Sequence, residues 1–370
     1  MEEKMMKAAV LEKPETLRVK DIPIYPFTSP DEVLLEVEAC GVCGSDLRYY
    51  KGENPWALHT LGEERPNPPN IVMGHEYAGT VVEVNDRANQ HLVGKRVGVL
   101  CFKVCGRCHF CLSGRENLCK NTIHMGHGQG WGIRDYYPGA YARYCLGWAN
   151  QVYPLPDNVS SDEAAMLDIL AVGLHVASRG LVRPGGSVLC LGCGPAGNAI
   201  MQAAKTLGAA RTIIMDISQT ALGIAEDCGA DVILDAGKED VAEAVMRETG
   251  GQGVCSVYDS IGTKDSLNLG LSLLDGGGTL VNMAVHAGQI SFPGLTIGGE
   301  RSIRTSSNFR IFEFEAALNY LAAGIFKVKP WLTHRFALDD IQKAFDLLLS
   351  GEKSEGSGGQ AFKALILPGT

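Results

Sequence analysis

Gly186-Ser-Val-Leu-Cys-Leu-Gly192-Cys-Gly194-Pro195-Ala196-Gly197-Asn-Ala-Ile200 reads as a short apolar strand that turns through glycines into a helix. The three spaced glycines form G-x-G-x-x-G at that junction. Gly192 permits the tight turn, Gly194 lets backbone amides approach a pyrophosphate, and Gly197 allows close helix–strand packing. Pro195 and Ala196 open the helix, whose N-terminus favours negative charge. The next apolar run ends at Asp216, 19 residues after Gly197. A carboxylate there can accept hydrogen bonds from both hydroxyls of a ribose and repel a 2′-phosphate, which selects NAD over NADP. Arg211, placed before that run, is not positioned to take over as a phosphate reader.

Outward from this segment the same alternation continues. Strand-like runs at Ser187–Leu191, Thr212–Asp216, Asp231–Asp235, Val254–Tyr258 and Gly278–Met283 are separated by helix-length stretches such as 195–208 and 218–228. Repeated βαβ units predict an α/β fold with a doubly wound parallel sheet, a Rossmann domain over 158–299. Before Pro154 the segments are β-rich and broken by glycine and proline, as in an irregular barrel-like domain. After residue 300 come a helix near Phe312–Ala323, another near Leu338–Ser350, a Gly/Ser-rich solvated loop over 351–360 and a last strand at Phe362–Leu367. These are expected to return to the first domain, giving a catalytic domain of 1–157 plus 300–370.

Composition narrows the class. A chain of 370 residues exceeds what one hydrophobic core usually sustains, so two domains are expected. The charged start and the lack of a long apolar run predict a cytoplasmic protein with no membrane partner. A formal net charge of −9 without a basic run disfavours nucleic acid. Twelve cysteines in such a compartment read as metal ligands or small core residues rather than disulfides.

Four of them, Cys105, Cys108, Cys111 and Cys119, fall in C-x2-C-x2-C-x7-C. The first three are too close for paired disulfide bridges, and four thiolates can close a tetrahedron around a structural zinc with no open position. A reactive metal must then lie elsewhere. Gly41-Val-Cys43-Gly-Ser45-Asp46-Leu-Arg48-Tyr-Tyr50 and Gly74-His75-Glu76-Tyr-Ala-Gly79 supply a thiolate, an imidazole and carboxylates between glycine-marked turns. His75-Glu76 is not H-E-x-x-H, because residue 79 is glycine, so a zinc-protease reading fails. Downstream, Ser160 and Glu163 form a capping box before a run that is apolar except for Asp168. That carboxylate among Met166, Leu167, Ile169 and Leu170 is costly unless a metal, its water or an arginine neutralises it, or that helix face reaches solvent.

With these motifs together, the chain resembles the zinc-containing medium-chain dehydrogenase/reductase superfamily over essentially its whole length, and most of all its sorbitol (polyol) dehydrogenase branch. Cys43-Gly-Ser-Asp46 with Tyr49-Tyr50, Gly74-His75-Glu76, the cysteine lobe, Asp168 through His175 and the glycine fingerprint stand in family order. The resemblance implies a β-rich, partly open barrel-like (GroES-like) catalytic domain. It implies two Zn2+ per chain, with Cys43 and His75 ligating the catalytic one beside either Glu76 or Asp168. Asp168 replaces the glutamate usual in that branch, and its shorter arm favours action through water.

The implied activity is hydride transfer from a secondary alcohol (a polyol, cyclitol or sugar-derived one) to NAD. Ser45 would take the hydroxyl proton, while Asp46 orients His75 or braces its loop. Where relatives carry a histidine that passes this proton to solvent, this chain has Arg48, which accepts no proton. Water or His59 completes the relay, or Arg48 instead grips a cofactor phosphate. Tyr50, Glu63–Asn70 and Gln129–Tyr136 are candidates for a polar substrate cleft or for packed surface loops. A threonine-type amino alcohol is the alternative substrate, and a non-catalytic, metal-stabilised NAD-binding protein the alternative class. The family also implies a homodimer or homotetramer.

Overall fold

The computed structural model describes residues 4–284, 289–350 and 361–369. The Gly/Ser-rich stretch 351–360 lies outside the described residues. The chain divides into two compact units, one of Met1–Asp168 with Leu332–Thr370 and one of Ile169–Trp331.

The second unit is built on a six-stranded parallel sheet. In space its strands run Val232–Asp235, Arg211–Asp216, Ser187–Leu191, Val254–Asp259, Leu274–Asn282, Ser302–Thr305. Numbered along the chain this is 3-2-1-4-5-6, the dinucleotide-binding order that splits at the first strand. A sheet covered on both faces needs apolar residues at successive positions, and Val188, Leu189, Cys190 and Leu191 are all fully buried. Leu189, Leu191, Ile213, Leu234, Val257, Leu271 and Leu280 share one core, each side chain contributing about 1.5–3 kcal/mol on burial. The crossover helices start where the sequence provides caps: Ser218 Oγ, Asp240 Oδ1 and Thr263 Oγ1 accept from backbone N–H groups of their first turns.

The first unit is β-rich. One sheet runs Val152–Pro154, Arg96–Val99, Glu76–Val84, Glu32–Gly41, Lys363–Leu367, Leu332–Ala337, with Tyr144–Trp148 also on Glu32–Gly41. Thr16–Pro23, Met5–Lys13 and Ile71–Val72 form a three-stranded sheet beside it in sequence, and Phe102–Lys103 pairs with Ile123–His124. The final strand lies antiparallel to Glu32–Gly41, with Leu365 opposite Gly41.

The boundaries differ from those expected at 158 and 300. Ser302–Thr305 pairs in parallel with Leu274–Asn282, so this stretch completes the second unit's sheet. The helix Ser161–Ala164 packs on the first unit's strands, and Leu167 fills the space above Gly98, so residues 158–168 stay with that unit. The Ser160 and Glu163 capping box is formed: Glu163 N donates to Ser160 Oγ at 3.3 Å and Ser160 N to Glu163 Oε2 at 3.1 Å.

Candidate active site

Strand register assembles the site. Glu32–Gly41 and Glu76–Val84 are antiparallel with Gly41 opposite Glu76, so Cys43, just past one strand, meets His75, just before the other. Gly74 adopts φ +88°, and a Cβ there would lie 2.8 Å from both Cys40 Sγ and the Tyr141 ring. Only glycine fits that turn. Cys43 caps the short helix Gly44–Tyr50, and its N–H donates to Asp46 Oδ2 at 3.0 Å.

Ligand atoms of Cys43, His75 and Glu76 all lie within 4.8 Å of one another. His75 and Glu76 are buried while Cys43 and Ser45 are partly exposed. Ser45 Oγ is 3.5 Å from His75 Nε2, so that nitrogen faces the thiol and hydroxyl side. His75 Nδ1 faces Asp46 Oδ1 at 3.4 Å. Asp46 is fully buried, and its Oδ2 also accepts the Tyr141 hydroxyl at 2.8 Å. Burial opposes ionisation of Asp46, but His75, the Cys43 amide and Tyr141 outweigh it and hold the carboxyl below its usual range.

Glu76 is the least satisfied group. It is fully buried, its Oε1 has no hydrogen-bond partner among the described residues, and its Oε2 faces the ammonium of Lys363 at 2.5 Å. Lys363 is itself 3% exposed and donates to Val42 O at 3.0 Å. Burial alone would push its ammonium down in pKa; Glu76 reverses this and raises it. A Cβ on Gly41 would collide with Glu76 Oε2, so glycine there makes room for the carboxylate.

These donors fit a divalent metal. A thiol, an imidazole with its far nitrogen braced, and a carboxylate with a spare buried oxygen match the N, S and O chemistry of zinc. The cysteine lobe fits a second ion equally well. Its sulfurs stand 3.5 Å (Cys108 to Cys111), 3.6 Å (Cys119 to Cys105) and 4.0 Å (Cys105 to Cys111) apart. Tetrahedral thiolates on zinc at about 2.3 Å stand about 3.8 Å apart. No cysteine among the described residues forms a disulfide.

Asp168 falls outside the Cys43–His75–Glu76 group. Its Oδ1 accepts from Cys101 Sγ at 3.3 Å, and burial raises its pKa to about 6. Where the sequence reading calls for a metal, its water, an arginine or solvent, the hydrogen-bond donor this carboxylate meets is a thiol. Cys101, His124, His127, Tyr141 and Lys363 were not read as site residues from the sequence. A usable signal existed for three of them: His124-Met-Gly-His127 places paired imidazoles in a glycine-rich segment, and Lys363 interrupts an apolar strand.

Arg48 Nε donates to Glu53 at 2.7 Å. Burial, then the Arg48 charge, lowers the His59 pKa to about 4, which makes it a weak proton acceptor at neutral pH. Tyr50 packs on Phe345 and its hydroxyl donates to Glu15 O at 3.3 Å, so it belongs to the fold's packing. In 129–136, Trp131 is buried with its N–H on His124 O at 3.0 Å, whereas Ile133 is exposed.

In the second unit Gly192 has φ +93°, and a Cβ on Gly197 would strike the Gly192 carbonyl. Gly194 caps the helix Pro195–Thr206 with nothing within 4 Å of where a side chain would begin, which leaves its amides approachable. Asp216 Oδ2 accepts from Cys193 N at 2.7 Å, and Oδ1 from Ile217 N at 2.8 Å and Ser218 N at 2.9 Å. The acid therefore also pins the glycine turn to the end of the second strand. Among the described residues no helix is long and apolar enough to cross a membrane.

Known proteins share this plan. Residues 29–157 match the alcohol dehydrogenase GroES-like domain, and 195–323 match the zinc-binding dehydrogenase family. The sorbitol dehydrogenase of Bacillus subtilis (strain 168) is 30% identical over 93% of this chain and 94% of its own length. The L-idonate 5-dehydrogenase of Vitis vinifera is 31% identical over 95% and 92%. The solved structure of ECK1772, an Escherichia coli oxidoreductase of unknown specificity, aligns with a TM-score of 0.86 at 29% identity, covering 98% of this chain and 99% of that one. A cysteine lobe, a thiol–imidazole–carboxylate cluster and a 3-2-1-4-5-6 sheet on one chain, with relatives matched from end to end, have one reading: this protein belongs to the zinc-containing medium-chain alcohol dehydrogenase superfamily.

Proposed function

We propose that the protein oxidises a secondary alcohol of the polyol, cyclitol or sugar-derived class, with NAD as hydride acceptor. The observation that carries this reading is the grouping of Cys43, His75 and Glu76 within 4.8 Å, with a fully buried glutamate oxygen left without a hydrogen bond. These three residues would hold the catalytic zinc, and Cys105, Cys108, Cys111 and Cys119 the structural one. Glu76 is preferred over Asp168 because it stands in the group while Asp168 is engaged by Cys101.

A zinc ion held there supplies Lewis acidity that makes an alcohol hydroxyl acidic near neutral pH. Ser45, partly exposed on the Nε2 side of His75, receives the proton at Oγ and hands it to solvent. Arg48 stays with Glu53, so water completes the relay. Asp46 accepts the Cys43 amide, which braces that residue's turn, and sets its carboxylate 3.4 Å behind His75 Nδ1. At the glycine turn, Gly194 and the first amides of helix Pro195–Thr206 receive the pyrophosphate. Asp216 receives the adenosine ribose and rejects a 2′-phosphate. The polyol preference rests on the two polyol- and sugar-acid-named relatives described above.

Purified protein scanned over polyols, cyclitols, sugar acids and amino alcohols with NAD and NADP, reading reduced-cofactor absorbance, tests this. Turnover with a polyhydroxylated secondary alcohol and NAD is expected. Turnover confined to amino alcohols would overturn the substrate class. Silence across the panel with two zinc ions bound would favour a non-catalytic NAD-binding protein.

A further inference from the structure

Behind the metal ligand His75 the first unit buries two more imidazoles. His127 Nε2 lies 3.2 Å from His75 Nδ1 in hydrogen-bonding geometry. The His127 ring is stacked on His124 at 4.2 Å and on Tyr49 at 4.6 Å, which fixes its plane. Both histidines are less than a tenth exposed. A neutral ring has one donor nitrogen and one acceptor nitrogen.

The tautomers follow from the metal. His75 presents Nε2 to Ser45, so a ring that gives this lone pair to a metal carries its proton on Nδ1. Two acceptors face that N–H. Asp46 Oδ1 stands at 3.4 Å and has no hydrogen bond among the described residues, its Oδ2 being held by Tyr141 and the Cys43 amide. His127 Nε2 stands closer, at 3.2 Å.

We infer that His127 is a positioning residue for the metal ligand His75, accepting its Nδ1–H and so locking the tautomer and ring angle that direct Nε2 at the metal. This rests on the reading of His75 as a ligand. One feature sets His127 apart from a packing ring. With Nε2 accepting, its own Nδ1 carries the proton, and that buried nitrogen has no partner among the described residues. A phenylalanine would stack on His124 and Tyr49 without that cost.

The test compares three full-length chains: unaltered, His127→Phe and His127→Gln. Phenylalanine keeps the stack and removes the acceptor; glutamine supplies an oxygen acceptor. Co2+ is titrated into each with the lobe zinc in place, using a competing chelator and the d–d absorption bands. The phenylalanine chain should bind Co2+ about 10–100-fold more weakly and the glutamine chain should recover most of the affinity. Equal affinity in the unaltered and phenylalanine chains would overturn this inference alone, and would leave Asp46 as the residue that orients His75. Metal confined to the cysteine lobe of the unaltered chain would overturn the ligand reading and this inference with it. Histidine 15N spectra of the zinc-loaded unaltered chain need no variant. They should show His127 protonated at Nδ1, and a proton on its Nε2 contradicts the assignment.

Discussion

Replacing His75 with alanine is expected to leave the protein with a single zinc, the one in the cysteine lobe, and to lower kcat/KM on its best alcohol by at least about a thousandfold. The effect is large because His75 joins every part of the site. Its Nε2 faces the ligand and hydroxyl side, and its Nδ1 faces Asp46 and His127. Losing the ring removes a proposed ligand, takes from Asp46 the imidazole 3.4 Å away and opens a void beside His127. Metal analysis separates this outcome from general unfolding, since one zinc per chain should survive at Cys105, Cys108, Cys111 and Cys119, which belong to a different loop. Wild-type turnover, or two zinc ions retained, would show that the imidazole is not a ligand.

Lys363→Met should produce the largest loss of stability. The Lys363–Glu76 pair is almost wholly shielded, with side chains 4% and 0% exposed, and removing one member of such a pair leaves the other charge without compensation. That penalty is about 3–5 kcal/mol, enough to lower the melting temperature of the metal-free protein by roughly 10 °C for a unit of this size. The second substitution identifies the cause. Lys363→Met combined with Glu76→Gln removes both charges and should recover most of the loss, because a buried pair contributes little beyond an uncharged pair of similar shape. Saturating zinc should narrow the gap between Lys363→Met and the unaltered chain, since the metal then compensates the carboxylate. A double variant no better than the single one would mean that Lys363 acts through packing or through Val42 O.

The two units differ in how plainly the sequence announces them. The parallel sheet is legible because each fully buried strand is a run such as Val188-Leu189-Cys190-Leu191, punctuated by glycine turns and capped helices, and all of that information is local. Ser187–Leu191 begins and ends where the pattern places it, and Asp216 ends the second strand as expected. Local signals stop at Gly278–Met283. The sixth strand, Ser302–Thr305, is polar and half-exposed at the sheet edge, so it carries no apolar run to mark it. The second unit extends to Trp331 rather than to 299.

The proposed metal ligands are visible as candidates because a glycine-flanked Cys43 and His75-Glu76 carry chemistry whatever surrounds them. The choice between Glu76 and Asp168 was not visible. It depends on which carboxylate the pairing of Gly41 with Glu76 turns inward, and on Cys101 reaching Asp168 from 67 positions away. Lys363 and His127 were missed for the same reason. Lys363 comes to Glu76 only because the last strand pairs with Glu32–Gly41, and His127 comes to His75 across 52 positions of sequence. Contacts of that separation are written in strand register, which no window of sequence displays.

Anomalous diffraction at the zinc edge would locate a metal at Cys43, His75 and Glu76 without recourse to activity. Two peaks per chain are predicted, one among the four lobe sulfurs and one about 2.3 Å from Cys43 Sγ and about 2.0–2.2 Å from His75 Nε2 and a Glu76 oxygen. A single peak in the lobe, with no scatterer near Cys43 in protein supplied with zinc, would contradict the account.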